Sequence, residues 1–594
     1  MNTIKLVVLA TGIVFLFFSC SSTPQQNVDD FFLHCMDDFY RHNPGYATYL
    51  RYFSGEEQDR LERQSTPLTL EHKKENVELA RKGLEELGKY DRGRMTDVQR
   101  VSAEVFEWSM NNIIDGEPFL DYAFPLNQWN GANVNLVNML VRGRSLGTER
   151  DAENYVAVLG QVETRMDEAI EEARRIAEKG IIPPKFIIQS TIDQMQLFIS
   201  SEPSQNPFVV TFLQKMSSIE SLPDDKRSQL QSTAEKIVAE QVYPAWKRGI
   251  SLLESQKEEA TDDAGLWRFK GGDEAYRFAL RSNTTTDLTP DQIHKIGLKR
   301  VQEIEVRMDD LLRQLGRTEG SLNDRIAKLK EDLGYPNPTS EESREKIIKD
   351  IDNIVRDAEK RAALIFDKMP KSPVIVQPTP SFQEVSDSAR YNPPAMDGSR
   401  TAIFLYPRRL SRMNSFGMRT TVYHETVPGH HFQIALQMEN QELPRFRQAF
   451  APINSFIEGW ALYAEKLAAE SGWYEGDIEG ILGQLYWELF RARRLVVDTG
   501  LHAKRWTRQQ AIDYGVDESE ADRYIMRPGQ ACAYMIGQIK LLELRDKAKQ
   551  ALGEQFSIKD FHNLLLGNGA VPLNVLEKLV DDYIKSERAK VAER

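Results

Sequence analysis

The chain has 594 residues and a formal charge of −13. That length is several times what one hydrophobic core usually organises, so two or more packed lobes are expected, with room for a cleft between them. The acidic balance is spread along the chain, with no Lys/Arg run carrying interleaved aromatics, no Gly-rich phosphate loop behind a strand and no short-period repeat. Nucleic acid and nucleotides are therefore poor candidates for the main partner.

In chain order, Lys5 precedes an apolar run from Leu6 to Phe18, which stops at Ser19-Cys20 and gives way to SSTPQQN. The run is too short to span a bilayer, which needs roughly 20 residues, and suits the core of a signal peptide. A cysteine at the cleavage point makes residues 1–19 resemble a lipoprotein signal, with Phe17 where leucine is usual. Cys20 is then the lipid-bearing N-terminus, residues 20–30 a polar tether, and the location a bacterial envelope membrane. Cys35 and Cys532 remain, far apart in sequence, and are expected to be free and buried.

From about Val28 onward, apolar residues recur at three- and four-residue spacing, which predicts a mainly α protein. In LTPDQIHKIG, Thr289 is placed to cap a helix and Pro290 to occupy its first position, with the helix running to about Leu315. The glycines of GLWRFKGGDEAYRFAL interrupt the helical pattern. They suggest a boundary near Gly265, with an N-terminal helical lobe over 31–264 and a catalytic lobe over 265–590. Two short segments read as strands of a small sheet: Val374 to Val376, and Thr401 to Tyr406 ahead of Pro407.

Chemistry concentrates in TTVYHETVPGHHFQIALQ, where three of the nine histidines fall between positions 424 and 431. In a zinc-peptidase helix two histidines stand four apart on one face, with the glutamate after the first as general base. Here Pro428 occupies the fourth position after His424. It can neither bind metal nor donate the helical hydrogen bond to the His424 carbonyl, so a kink or bulge is expected. Such a bulge can carry His430 to the side of His424. His431, the alternative ligand, would lie about 10 Å along an unbroken helix, too far for two bonds of about 2 Å. Downstream, NSFIEGWALYAEKLAAE offers Glu458 as third ligand, in an apolar segment where a carboxylate needs a partner. Gly459 would let another helix approach, and Glu465 is placed to orient a ligating histidine or to substitute as ligand. The predicted centre is thus Zn²⁺ on His424, His430 and Glu458, with Glu425 as base.

HETVPGHHFQ followed by EGWALYAE resembles the bacterial family defined by domain of unknown function 885. LTPDQIHKIG, YNPPAMDGSR, RLVVDTGLH and RPGQACAYMIGQIKLLELR look like that family's recurring segments in their usual order, over about residues 31–585. The resemblance implies a two-lobed, gluzincin-like zinc metallopeptidase, similar in plan to the angiotensin-converting enzyme, thimet oligopeptidase and thermostable carboxypeptidase groups, with Gly429-His430 in register with their Gly-His pair. It implies hydrolysis of peptide bonds in oligopeptides by a water activated at the metal. Tyr534 is nominated to stabilise the tetrahedral intermediate, at about the distance downstream where those relatives place a tyrosine, with Tyr524 second.

Other expectations follow from position. Residues 397–406 are expected to be a sheet edge on which extended peptide lies, with Ile403 or Leu405 offering backbone groups and the Asp397-Gly398 turn aiming Ser399 and Arg400 into the cleft. Arg527 is a candidate for a substrate carboxylate. Asp498 and His502 stand at i, i+4 spacing, downstream of Arg491, Arg493 and Arg494, as a helix-stabilising pair or a support to the site. His34, His42, His72, His294 and His562 read as structural or solvated. A zinc hydrolase of a non-peptide amide would use the same metal and base, and an inactive binding lipoprotein is the further alternative.

Overall fold

The structure, a computed structural model, describes residues 27–337, 340–379, 389–407, 414–449 and 453–592. The predicted signal segment and Cys20 lie outside those residues. What is described is mainly α-helical with one small three-stranded sheet. Among the described residues no helix is long and apolar enough to cross a membrane.

α1 (Val28–His42) and α2 (Asp97–Asp115) belong to the N-terminal part. α3 (Pro290–Gln314) begins as its sequence predicts: Thr289 caps it, Pro290 opens it, and the Gln292 side chain returns the bond to complete a capping box. α4 (Glu341–Ile365) leads to the sheet strands β1 (Val374–Pro378), β2 (Arg390–Asn392) and β3 (Ala402–Tyr406). α5 (Met418–Glu425), α6 (His430–Glu439), α7 (Asn454–Glu470), α8 (Ile478–Ala503), α9 (Glu518–Met526) and α10 (Cys532–Leu552) follow.

The two largest apolar cores change over twice along the chain, between Met110 and Leu126 and between Leu253 and Leu266. One core contains only residues from Leu126 to Leu253, around the buried Trp246. The largest core joins the first helices to the C-terminal half: Phe32 of α1 and Phe106 of α2 both meet the Phe446 ring, at 4.9 and 5.9 Å. Residues before about 110 thus share their apolar burial with the chain after 265. Periodicity reports which face of a helix is buried and not what covers it, so the change of core between Met110 and Leu126 leaves no mark in the sequence pattern.

The sheet runs in the order β1-β3-β2, β1 parallel and β2 antiparallel to β3. Ala402 and Phe404 of β3 and Val374 of β1 pack with Ile347, Ile351 and Val355 of α4 and with Met418 and Val422 of α5. That contact seats α5 against the sheet. α7 and α10 cross closely: a Cβ added to Gly459 would lie 2.6 Å from the Gly537 Cα, so both glycines are required for the approach. α8 packs along α3, where Gly297 leaves room for Val496.

Candidate metal centre

Between Glu425 and His430 the helical segment breaks completely. Thr426 (φ −118°, ψ −103°) and Gly429 (φ −82°, ψ −127°) leave helical geometry, so α5 and α6 are separate helices where the sequence predicted one kinked helix. The break is held by defined bonds. The Thr426 hydroxyl donates to the Val422 carbonyl at 2.7 Å, and the indole N–H of Trp460, from the EGWALY motif, donates to the Pro428 carbonyl at 2.8 Å. At Gly429 any Cβ would collide with the carbonyl oxygens of His424 and Tyr423, so glycine is required there.

This break turns His430 back beside His424, their rings edge to face with centroids 4.8 Å apart. The Glu458 Oε2 from α7 lies 3.3 Å from His430 Nε2 and 3.8 Å from His424 Nε2. One ligand atom from each of the three falls within 4.8 Å of the other two. A tetrahedral ion with bonds of about 2.0–2.1 Å separates its ligands by roughly 3.4 Å, so the donor set fits zinc with closure of a few tenths of an ångström or more. His424 Nδ1 meets Glu465 Oε1 at 2.7 Å, which turns Nε2 toward Glu458. Burial pushes the Glu465 carboxyl up to about 8 and, with His430, Arg491 and Arg494 nearby, holds the His424 imidazole well below its ordinary value.

Glu425 stands beside this set. Burial raises its carboxyl to about 7, against the opposing pull of His430, and the Tyr391 backbone N–H donates to its Oε2 at 2.8 Å. Tyr534 lies parallel to the His424 ring at 6.5 Å, and its hydroxyl, with His430, opposes burial to hold Glu458 below the usual carboxylate range. Tyr524 is buried, and its hydroxyl accepts from Arg494 at 3.2 Å. His431 turns the other way, its Nδ1 3.2 Å from the Tyr391 hydroxyl, outside the three-residue group.

The strand expectation needs correction. β3 is the central strand, and its residues 403–405 are paired on both sides, so Ile403 and Leu405 present no free edge; Ile403 faces Ile375 in β1 and Asn392 in β2. Phe404 is fully buried, which favours a strand covered on both sides. The strand nearest the site is β2, whose Tyr391 turns its N–H away from β3 toward Glu425. Ser399 does not aim into a cleft either: its backbone N–H and hydroxyl both donate to Asp397 Oδ1, at 2.9 and 2.6 Å. Arg400 donates to the carbonyl oxygens of Tyr49 and Pro393. The supposed Asp498-His502 pair also has other partners. Asp498 accepts from the Tyr276 hydroxyl at 2.7 Å and from the Gly529 N–H, while His502 meets the Leu266 N–H and the Tyr524 carbonyl. Cys532 is buried and Cys35 half-buried.

Tyr391 is the site residue that sequence reasoning missed. It lies in YNPPAMDGSR, which carries the family resemblance, but no spacing connects it to Glu425. His42 and His72, expected to be structural or solvated, form a second His/Glu group with Glu75. Its two rings stack at 4.2 Å within 17° of parallel, so their in-plane lone pairs cannot converge on one ion. The edge-to-face pair at His424 and His430 can.

The family profile described as a bacterial protein of unknown function, DUF885, matches residues 44–580. The chain belongs to this family. The crystal structure of a candidate lipoprotein from Colwellia psychrerythraea is 31% identical, with a TM-score of 0.88 over 95% of this chain and 100% of that one. A candidate lipoprotein of unknown function from Shewanella oneidensis shares the fold at 17% identity and a TM-score of 0.69, over 93% of this chain and 99% of that one. No curated protein matches the chain.

Proposed function

We propose that this chain is a zinc-dependent peptidase of gluzincin type, held at a bacterial envelope membrane by a lipid on Cys20. The observation that carries the reading is the meeting of His424 Nε2, His430 Nε2 and Glu458 Oε2 beside a half-buried Glu425. A zinc ion bound there would acidify a water and polarise a carbonyl. Glu425, beside the three ligands and held by the Tyr391 N–H, is placed to take a proton from that water and return it to the leaving amine. The Tyr391 N–H orients its carboxylate. Tyr534 supplies a hydroxyl for the developing oxyanion. Glu465 fixes the tautomer of His424.

The lipid anchor draws support from residues 6–20 and from the two lipoprotein-described relatives. A binding lipoprotein with an idle centre is the competing reading, in line with two similar structures described as lipoproteins. Metal analysis paired with mass-spectrometric profiling of a mixed peptide library separates the two. One zinc per chain with metal-dependent cleavage supports the peptidase; zinc without cleavage of any peptide supports the binding protein. Zinc with cleavage confined to non-peptide amides would move the substrate class and keep the centre.

A further inference from the structure

Around Tyr534 the chain gathers more guanidinium than it neutralises. Arg494 of α8 lies 4.4 Å from the Tyr534 ring centroid and donates to Tyr524 and, at 3.2 Å, to Glu520. Glu520 also accepts from Arg523 at 3.0 Å, so one carboxylate serves two arginines. Arg491, one turn before Arg494, has no ion pair among the described residues, and its buried Nε and Nη1 have no hydrogen-bond acceptor. It rests against Trp487, Phe490 and Tyr534, at 4.9, 5.2 and 6.0 Å. Aromatic faces attract the cation but accept none of its in-plane N–H bonds. Arg527, just after α9, is exposed and likewise has no ion pair among the described residues. It is close enough to Tyr534 and Glu458 to feel their charge.

Leaving buried guanidinium N–H groups unmatched is costly. A divalent cation on His424, His430 and Glu458 would add to the positive excess. Both facts call for an anion from outside the chain, and the planar fork of arginine matches a carboxylate. Resting on the peptidase reading, we propose that Arg491 and Arg527 form a carboxylate subsite on the Tyr534 side of the centre, so that the preferred substrates are short peptides with a carboxylate close to the bond cut. The carboxylate is either the free C-terminus or an acidic side chain.

Three probes distinguish the sources: tetra-alanine as the free acid, its C-terminal amide, and an amidated tetrapeptide with one glutamate. Calorimetric binding to the zinc-loaded Glu425→Gln protein is measured for each, beside cleavage by the unaltered enzyme. The free acid or the glutamate peptide is expected to bind at least about tenfold tighter than the neutral amide. That margin should vanish in Arg527→Ala, which alters an exposed side chain, and in Arg491→Gln, the acid losing more affinity than the amide in each. Equal binding of the three probes, no binding of any, or equal losses for acid and amide in both variants would overturn the subsite. Acid-selective binding without cleavage by the unaltered enzyme would leave the subsite standing and remove the peptidase reading.

Discussion

Replacing Glu465 by glutamine tests how the protein orients its first histidine. The carboxylate is 1% exposed and meets His424 Nδ1 at 2.7 Å, while its own Oε2 has no hydrogen-bond partner. Glutamine keeps the shape and an acceptor oxygen, but it lacks the carboxylate that a cation on His424 would ionise, and with it a charge-assisted bond about twice as strong as a neutral one. Losing such a support to a ligating histidine lowers metal affinity by about 10- to 100-fold, or about 1.4–2.8 kcal/mol. The metal-free fold should hardly notice. Burial already pushes Glu465 up to about 8, so at pH 7 the substitution exchanges one largely neutral group for another. Zinc dissociation constants from chelator competition, with melting of the metal-free proteins as control, provide the assay. Affinity within about twofold of the unaltered protein, at equal occupancy of the folded state, would refute the orienting role.

Gly429→Ala places a methyl against the His424 and Tyr423 carbonyl oxygens, so zinc content and stability should fall together, with a cost above the roughly 1–3 kcal/mol usual for overpacking; chemical denaturation and metal analysis check both. His430→Ala should remove stoichiometric zinc and His431→Ala should leave most of it, read by metal analysis of the purified variants. Burial raises Asp498 to about 7 against the Tyr276 hydroxyl and Gly529 N–H, above its unfolded value of 3.8. Its contribution to stability is therefore complete below pH 3.8 and lost as pH rises through 7. Asp498→Asn should flatten that part of the melting-temperature profile, and an unchanged slope between pH 4 and 7 would count against the burial argument.

What could be read from the sequence is what neighbouring residues encode together. The Thr289-Pro290 start of α3, the two strands at 374–378 and 402–406, and the interruption at Pro428 each arise from steric or hydrogen-bonding rules within a few residues. Pro428 announced a disruption but not its form. The complete break depends on Gly429 closing against the His424 carbonyl and on Trp460, from another helix, holding the Pro428 carbonyl. β2 was illegible because three residues, all half-buried, carry no alternation. Without β2, β3 looked like an edge and Tyr391 had no visible tie to Glu425. Asp498 was assigned to His502 by spacing, whereas Tyr276 and Gly529, remote in sequence, take its oxygens. Such pairings depend on which helices pack together, and a single sequence does not display that.

Cleavage of a peptide library by the unaltered and Glu425→Gln proteins, compared at one zinc per chain, bears most directly on the proposed chemistry. Glu425 lies beside the three candidate ligands and is not one of them, so glutamine should leave the metal in place. The account predicts that hydrolysis falls by about 10²- to 10⁴-fold while zinc stays bound. Equal rates at equal metal content would contradict it.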